Sequence, residues 1–593
     1  MNPLNWLKQL IPRNLRGRSS SRKNIRGSFR KLLYLGRITT VSEKRLLFFL
    51  AIICIVSGIG LAMRLYLNVT IPVPKVASTY TEGELGEPHS INPVYASRDV
   101  DRDISRLLFS GLFIYSGNGG IENDLADHLT VSGDGKVYTV TLKKDLLWHD
   151  GQPLTADDVV FTIHIIQNPQ YKSPLRANWQ GVSIEKINDQ NIRFTLRTPY
   201  TPFIENLTLG IIPKHIWETV TPEQAPLHEQ NLKPVGSGPY RFDQIMQNGD
   251  GSISWYQIAR NDHFHRSGPF IKKIVFNFFK TEDEMFAAWR KGTIEGFGGV
   301  SPDQISKINP DKTLLLSLNM PRIFGIFFNS KHAPQLDDIA VRQAIAYAID
   351  RKEIVNQQHQ NRAIEVEWPL PWLGNADTSA LFPHDLEKAK DLLKNAGWKD
   401  QNNDGILEKK KKERGKTTTT TLRMTLTTSD WPDLINTAQI VQSQLKKAGI
   451  DVTIEKKSFP DLESSVIRPR NFEMLLFGQV YGYEPDPFAF WHSTQVKDPG
   501  LNITFFADKK VDRLLEDIRK TNDPSARAKD YRNFSTAVVK DLPAVFLFSQ
   551  NYLYLLPADI QNASPVKISL PSDRFNEINK WYRSTKRVFK WGA

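Results

Sequence analysis

Residues 46–63, LLFFLAIICIVSGIGLAM, run for eighteen positions without a charge, and Ser57 is their one strong side-chain hydrogen bonder. At about 1.5 Å per residue the run spans roughly 27 Å as a helix, close to the hydrocarbon core of a bilayer, which predicts a transmembrane helix over 46–66. Beyond it the pattern alternates. The polar loop INPVYASRDVDRD leads into a helix whose Ile104, Leu107 and Leu108 recur at helical spacing. Tyr138, Val140 and Leu142 follow an Asp134-Gly135 turn, and Ile192, Phe194 and Leu196 follow Asp189; both triplets read as strands. Between them Thr155 is placed as an N-cap with Asp157 and Asp158 in the first turn, so these acids cap and do not catalyse. Gly236 and Gly238 in PVGSGPYRF predict a sharp backbone reversal, and KKIVFNFF (272–279) a buried strand.

After residue 320 the rhythm changes to helix, glycine, strand. Asp337 or Asp338 caps a helix bearing Val341, Ile345 and Ala348. Asp385 caps one bearing Leu386, Ala389 and Leu393 that stops at Gly397. A third carries Leu434, Ala438, Val441 and Leu445, stops at Gly449, and gives way to Ile450, Val452 and Ile454 in alternation. This order predicts an α/β lobe with a largely parallel core. Two stretches lack either period: Ile71-Pro-Val-Pro74 is read as a stiff connector, and KKKKERGKTTTTT (409–421) as an exposed loop.

Charge sharpens the reading of the apolar run. Of the net +13, residues 1–45 carry +11, twelve Lys or Arg against Glu43 alone, leaving +2 for the rest. By the positive-inside rule this tail stays cytoplasmic and the body is exported. The tail is therefore an orientation signal resting on anionic lipid, not a nucleic-acid binder. No small-x-small cleavage site follows, since Ala62 is succeeded by Met63, Arg64 and Leu65, so the anchor is read as uncleaved. Cys54 lacks the small preceding residue of a lipid attachment site and is read as an apolar side chain buried in the span. It is the one cysteine in the chain, which excludes disulfides, thiolate metal sites and a cysteine nucleophile from the exported part.

Enzyme and metal motifs are weak. Asp400, Asn402, Asp404 and Gly405 begin a loop like that of an EF-hand, but Lys411 stands where the closing Glu belongs, so a polar turn is expected. His263 and His265 form an isolated H-x-H, and Ser443-x-x-Lys446 lacks the companions of an acyl-enzyme site. No catalytic residue, metal or cofactor is expected.

Six stretches together resemble one family: INPVYASRDVDRDISRLLFSGL (91–112), LWHDGQPLTADDVVFTI (147–163), PVGSGPYRF (234–242), DDIAVRQAIAYAIDRKEIV (337–355), FPHDLEKAKDLLKNAGW (382–398) and YEPDPFAFWHS (483–493). In this order they resemble the family-5 extracellular solute-binding proteins, the dipeptide-, oligopeptide- and nickel-binding components of ABC importers. The resemblance implies an α/β, two-lobed periplasmic-binding-protein fold (class II, Venus-flytrap) with an extra α+β domain, here preceded by one transmembrane helix. Its implied division is a basic cytoplasmic tail 1–45, a transmembrane helix 46–66, a linker 67–77, lobe I from 78–109 with 235–318 and 548–593, an extra domain 110–234, and lobe III 319–547. The implied function is capture of peptides between lobes I and III by a monomer anchored in the cell membrane, and their delivery to an ABC permease. A tethered envelope receptor using the same clamp for a non-peptide ligand, without transport, is the alternative.

The same resemblance points to ligand contacts. Peptide-binding members place an aspartate shortly before the DP pair to accept the peptide's α-ammonium, a strong charge-assisted bond. Aligned on Asp486-Pro487, that position holds Tyr483, with Glu484 beside it. Ser97, Arg98 and Asp99 match the loop that makes strand-like backbone contacts to peptides. The expected ligand-binding set is therefore Ser97, Arg98, Asp99, Tyr483, Glu484, Asp486 and Trp491, although a Trp in that motif can equally be core.

Overall fold

A computed structural model describes residues 40–592 except 118, 360–362, 374–380, 414–415, 564 and 566. Most of the predicted cytoplasmic tail, residues 1–39, lies outside the described residues. The chain divides into two compact units, one running to Pro74 and resuming at Thr585, the other Lys75–Ser584.

In the first unit the apolar run forms the helix Val41–Val69, longer at both ends than the run itself, with no buried side chain. Among the described residues it is the one helix long and apolar enough to cross a bilayer. Thr40 and Glu43 satisfy its first backbone donors as a reciprocal cap. Cys54 lies on its exposed surface and in no protein core. The expected connector is a strand instead: Thr70–Pro74 pairs antiparallel with Thr585–Phe589, so the last strand does not join lobe I as expected. Proline is tolerated because the ribbon has only two strands, both edges. Arg587 closes the helix end, donating to the carbonyls of Leu67 and Thr70 at 3.1 and 2.9 Å, where unpaired carbonyls and the dipole favour a cation.

The second unit is built on three sheets. A seven-stranded sheet runs in the order Thr313–Leu318, Tyr552–Pro557, Gly296–Gly298, Ala77–Leu85, Ile271–Phe279, Ile253–Arg260, Tyr240–Gln247. The strand foreseen at 272–279 is interior to this sheet, as Ile271–Phe279, but it buries only Ile271, Ile274 and Phe276 and not the whole run. A four-stranded antiparallel sheet contains the two predicted strands, Val137–Leu142 and Asn191–Leu196, as neighbours. It shares one continuous core with the seven-stranded sheet.

The third sheet has six strands: Ala363–Glu365, Ala544–Gln550, Arg322–Phe328, Met474–Val480, Arg423–Ser429, Asp451–Lys457. It is mixed, not largely parallel: only Arg423–Ser429 pairs parallel, with both of its neighbours, and Arg322–Phe328 is antiparallel to both of its own. Helices cover its two faces, giving separate cores, which is why Arg322–Phe328 reads as a nearly unbroken apolar run. The predicted helices are present as Ile339–Ala348 capped by Asp338, Leu386–Asn395 capped by Asp385, and Pro432–Lys447. The 409–421 segment is not a loop: Glu408–Glu413 and Lys416–Thr421 form a hairpin with lysines opposite threonines. Threonine is β-branched and favours strands, but a ribbon without an apolar face carries no alternation to reveal it.

The chain passes between the two larger sheets twice, through Asn319-Met320-Pro321 and through Asn551 alone. The crossovers are tied to each other: Asn551 Nδ2 donates to Ser317 Oγ at 3.0 Å, and Ser549 Oγ to the Met320 carbonyl at 3.4 Å.

Candidate functional site

Where the two crossovers meet, a cavity of about 800 Å³ opens between the two larger sheets, lined among others by Asp99, Arg322, Trp431, Asp433, Gln550 and Tyr552. Asp99 reaches it because the helix Asp99–Leu108 begins at its edge. That helix is pinned from below. Its Asp103 pairs with Arg574 Nη1 at 2.6 Å, while Arg574 Nη2 reaches Glu82 at 2.9 Å and Glu84 at 2.7 Å. All four residues are buried, Tyr80 and Tyr554 donate to Glu82, and the Arg574 guanidinium lies 4.1 Å from the Phe575 ring. Burial holds the Glu84 carboxyl well above the ordinary range, with Asp103 adding to the effect. At the other end of the helix, Gly236 and Gly238 serve close approach and not a positive-φ reversal: a Cβ at Gly236 would run into the Leu108 carbonyl oxygen.

Of the residues expected to bind ligand in this region, Asp99 lines the cavity, 3.4 Å from Arg102. Ser97 and Arg98 are exposed beside it and are not among its lining residues, and Arg98 occupies the helix N-cap position.

The 483–493 loop stands elsewhere, beside a second cavity of about 750 Å³ between it and the segment 177–206. Tyr483 does not offer its hydroxyl to this space. It is 5% exposed, its ring stacks on Tyr115 at 3.7 Å, and its hydroxyl donates to the Lys567 carbonyl at 2.9 Å. Asp486 is neutralised by Arg519, whose Nε and Nη2 approach at 3.0 and 2.6 Å, and accepts from Tyr200 at 3.2 Å. Trp491 is core: 1% exposed, its Nε1 donates to Tyr481 at 3.2 Å and its ring meets Phe506, Phe534 and Phe546. Glu484 keeps a side chain 43% exposed, 3.5 Å from Arg527.

The carboxylate that the loop encloses is Glu205, on the short helix Phe203–Asn206. It accepts the Glu484 backbone N–H and lies over Gly482, where a Cβ would come within 2.5 Å of its Oε2. It lines that cavity and another of about 290 Å³ that has Tyr115 in its wall. Burial pushes the Glu205 carboxyl up to about 7, with the Glu484 N–H and the Tyr115 hydroxyl pulling the other way. A folded-state pKa above the unfolded one contributes stability that is complete below the unfolded value, about 4.3, and is lost as pH rises through 7. Thermal unfolding of the wild type should therefore lose stability between pH 5 and 8 relative to Glu205→Gln, which still accepts the N–H. Parallel melting curves for the two proteins across that range would overturn this account.

In the Asp400–Gly405 loop, Asp400 Oδ2 accepts from Gly405 N at 2.9 Å and Asn402 Oδ1 from Asp404 N at 3.0 Å. His265 faces Asp124 at 2.7 Å and His263 donates its backbone N–H to Asn261, so the H-x-H pair does not converge. Among the described residues no group of three His, Cys, Asp or Glu is placed to hold a metal ion.

Comparisons with known proteins agree on one relationship. The model of bacterial extracellular solute-binding proteins, family 5 Middle, matches residues 120–500. The chain is 29% identical to the oligopeptide-binding protein AppA of Bacillus subtilis over 520 residues, 86% of this chain and 92% of that one. Among solved structures it resembles AppA of Bacillus subtilis in complex with a nonapeptide, with TM-score 0.68, 27% identity, and 86% of this chain against 100% of that one. It also resembles NikZ of Campylobacter jejuni in complex with Ni(L-His), with TM-score 0.68, 28% identity, and the same coverage of 86% and 100%.

Proposed function

We propose that this chain, which belongs to the bacterial extracellular solute-binding proteins of family 5, is a membrane-anchored member that captures peptides between its two lobes and delivers them to an ABC permease. The fold is the two-lobed periplasmic-binding-protein fold anticipated from the sequence motifs. The observation that carries the reading is the cavity of about 800 Å³ at the double crossover: two sheets joined by short strands can hinge, and a ligand touching both favours the closed arrangement by its differential affinity. A peptide ligand is supported by the likeness to proteins named for oligopeptide binding. Anchoring is supported by the helix Val41–Val69, about 43 Å long at 1.5 Å per residue, with a cation-rich segment before it. On this reading the body works as a monomer outside the cytoplasmic membrane, and it is a carrier with no catalytic residues.

Native mass spectrometry of the full chain, extracted in mild detergent, tests the ligand. Peptide masses should accompany the protein and be displaced by an added peptide pool. A glycan or other non-peptide ligand, with no binding of the pool, would overturn peptide capture in favour of the receptor alternative.

A further inference from the structure

The strand Thr585–Phe589 runs towards the end of the membrane-length helix. Its antiparallel register sets Thr585 opposite Pro74 and Phe589 opposite Thr70, the residue directly after Val69, so Lys590 and Trp591 follow on the helix side of the ribbon. Arg587 fixes the approach: it donates to the Leu67 carbonyl, and its guanidinium lies 5.8 Å from the Tyr66 ring. The uncharged run ends at Met63, and Arg64 to Val69 add about 9 Å of helix at 1.5 Å per residue. A bilayer of about 40–45 Å with a hydrocarbon core of about 30 Å leaves roughly 5–8 Å of interface on each side. With the run filling the core, the helix end and Phe589 fall at the outer margin of that interface.

The side chains gathered there suit such a place. Phe589 and Trp591 stack at 5.0 Å with 13° between their planes, yet they remain 49% and 77% exposed, and Tyr66 in the last helical turn is exposed as well. Large rings left this open on a ribbon with no core of its own mark a contact with something else. Four cations, Arg64, Lys586, Arg587 and Lys590, accompany them across 64–74 and 585–591, without one Asp or Glu. Aromatic rings beside Lys and Arg settle at bilayer surfaces, the ring at headgroup depth and the cation towards phosphate. A protein partner gives no reason for these residues to collect at the end of the one helix, among the described residues, that is long and apolar enough to cross a bilayer. Lipid does.

We propose that Phe589 and Trp591 seat in the extracytoplasmic interface of the bilayer crossed by Val41–Val69, with Lys586 and Lys590 on phospholipid phosphates, so that a segment more than 500 residues beyond the helix forms a second contact with the same membrane. The proposal rests on the anchoring proposed above. A two-stranded ribbon is marginal by itself in water, and seating its rings in lipid supplies the third surface that it lacks.

The test uses the full chain reconstituted in vesicles of phosphatidylcholine and phosphatidylglycerol, with bromine carried on the acyl chains either near the carbonyl or near the chain ends. Emission of wild type minus that of Trp591→Phe isolates this ring from the other tryptophans, and the substitution touches no core. The isolated emission should be blue-shifted from that of a tryptophan in water, largely lost with bromine near the carbonyl, and little changed with bromine at the chain ends. Ile55→Trp, in mid-span and 61% exposed on the helix, reports anchoring separately: its added emission should be lost mainly to chain-end bromine. Emission from Trp591 that stays red-shifted and unquenched, while the Ile55 reporter is quenched, overturns the interfacial contact and leaves anchoring intact. Blue-shifted emission from Trp591 that neither lipid quenches also overturns it, because protein and not lipid then covers the ring. If neither reporter is quenched, anchoring fails and the proposal fails with it.

Discussion

Replacing Arg574 by methionine is expected to destabilise the full chain by about 3–5 kcal/mol, the usual consequence of removing one partner from a buried ion cluster. Arg574 is 0% exposed and bonds Glu82, Glu84 and Asp103 at once. Without it three buried carboxyls have to be neutral or unpaired. Their folded-state affinity for protons, already raised for each, then rises further. The sign follows from linkage: a raised folded pKa gives stability that is present below the unfolded value near 4 and lost as pH increases through the folded one. The deficit relative to wild type should thus be smallest near pH 4–5 and widen towards pH 8. Denaturant unfolding at both ends of that range measures it; a pH-independent loss below about 1 kcal/mol would show that the cluster does not depend on its arginine. A secondary consequence is a looser helix Asp99–Leu108, which carries Asp99 at the edge of the cleft.

Trp491→Ala is expected to cost a similar amount, about 3–5 kcal/mol, for a different reason. The ring sits among Phe506, Phe534 and Phe546, and its removal leaves a cavity that a close-packed core fills only partly. Trp491→Phe should recover part of the loss but remove the indole N–H that the Tyr481 hydroxyl now accepts, leaving that hydroxyl its donation to Gln479. Ligand affinity, measured well below the melting temperature, should change little in either variant. An unchanged melting temperature with lost binding would return Trp491 to the ligand site.

These two residues bracket what the sequence makes legible. Periodicity locates the helices capped by Thr155, Asp338 and Asp385, since capping and amphipathicity are local. The motif order carries the fold, because six weak signals in series are jointly specific. What stays hidden is non-local. Trp491 in the ligand motif looks like a contact residue, and only the packing of strands and helices distant in sequence makes it core. Tyr483 occupies the expected place in the loop, yet Tyr115 and Lys567 close over it. Glu205 and Arg322 did leave a trace: each is a lone charge in an apolar stretch, PFIENLTLGII and NMPRIFGIFF. A lone charge signals a special environment without naming its partner, which for Glu205 is the Glu484 N–H from across the fold. The mixed direction of the six-stranded sheet is likewise invisible locally, because helix and strand order is compatible with either pairing.

If the chain is anchored as proposed above, the ribbon of Thr70–Pro74 and Thr585–Phe589 changes what a tether means. A body hung from a helix by one strand can be freed by one cut in the link that follows. Here the severed chain would still be held through its own far end, by the ladder and by the grip of Arg587 on Leu67 and Thr70. Shedding therefore takes two events, a cut and then an opening, and the second runs against hydrogen bonds that no protease has touched. Because a two-stranded ribbon is only marginally stable alone, the opening is a delay and not a lock. The same arrangement fixes an order in time during synthesis: Thr585–Phe589 emerges long after Thr70–Pro74, so the ribbon exists only on chains in which both strands have been made.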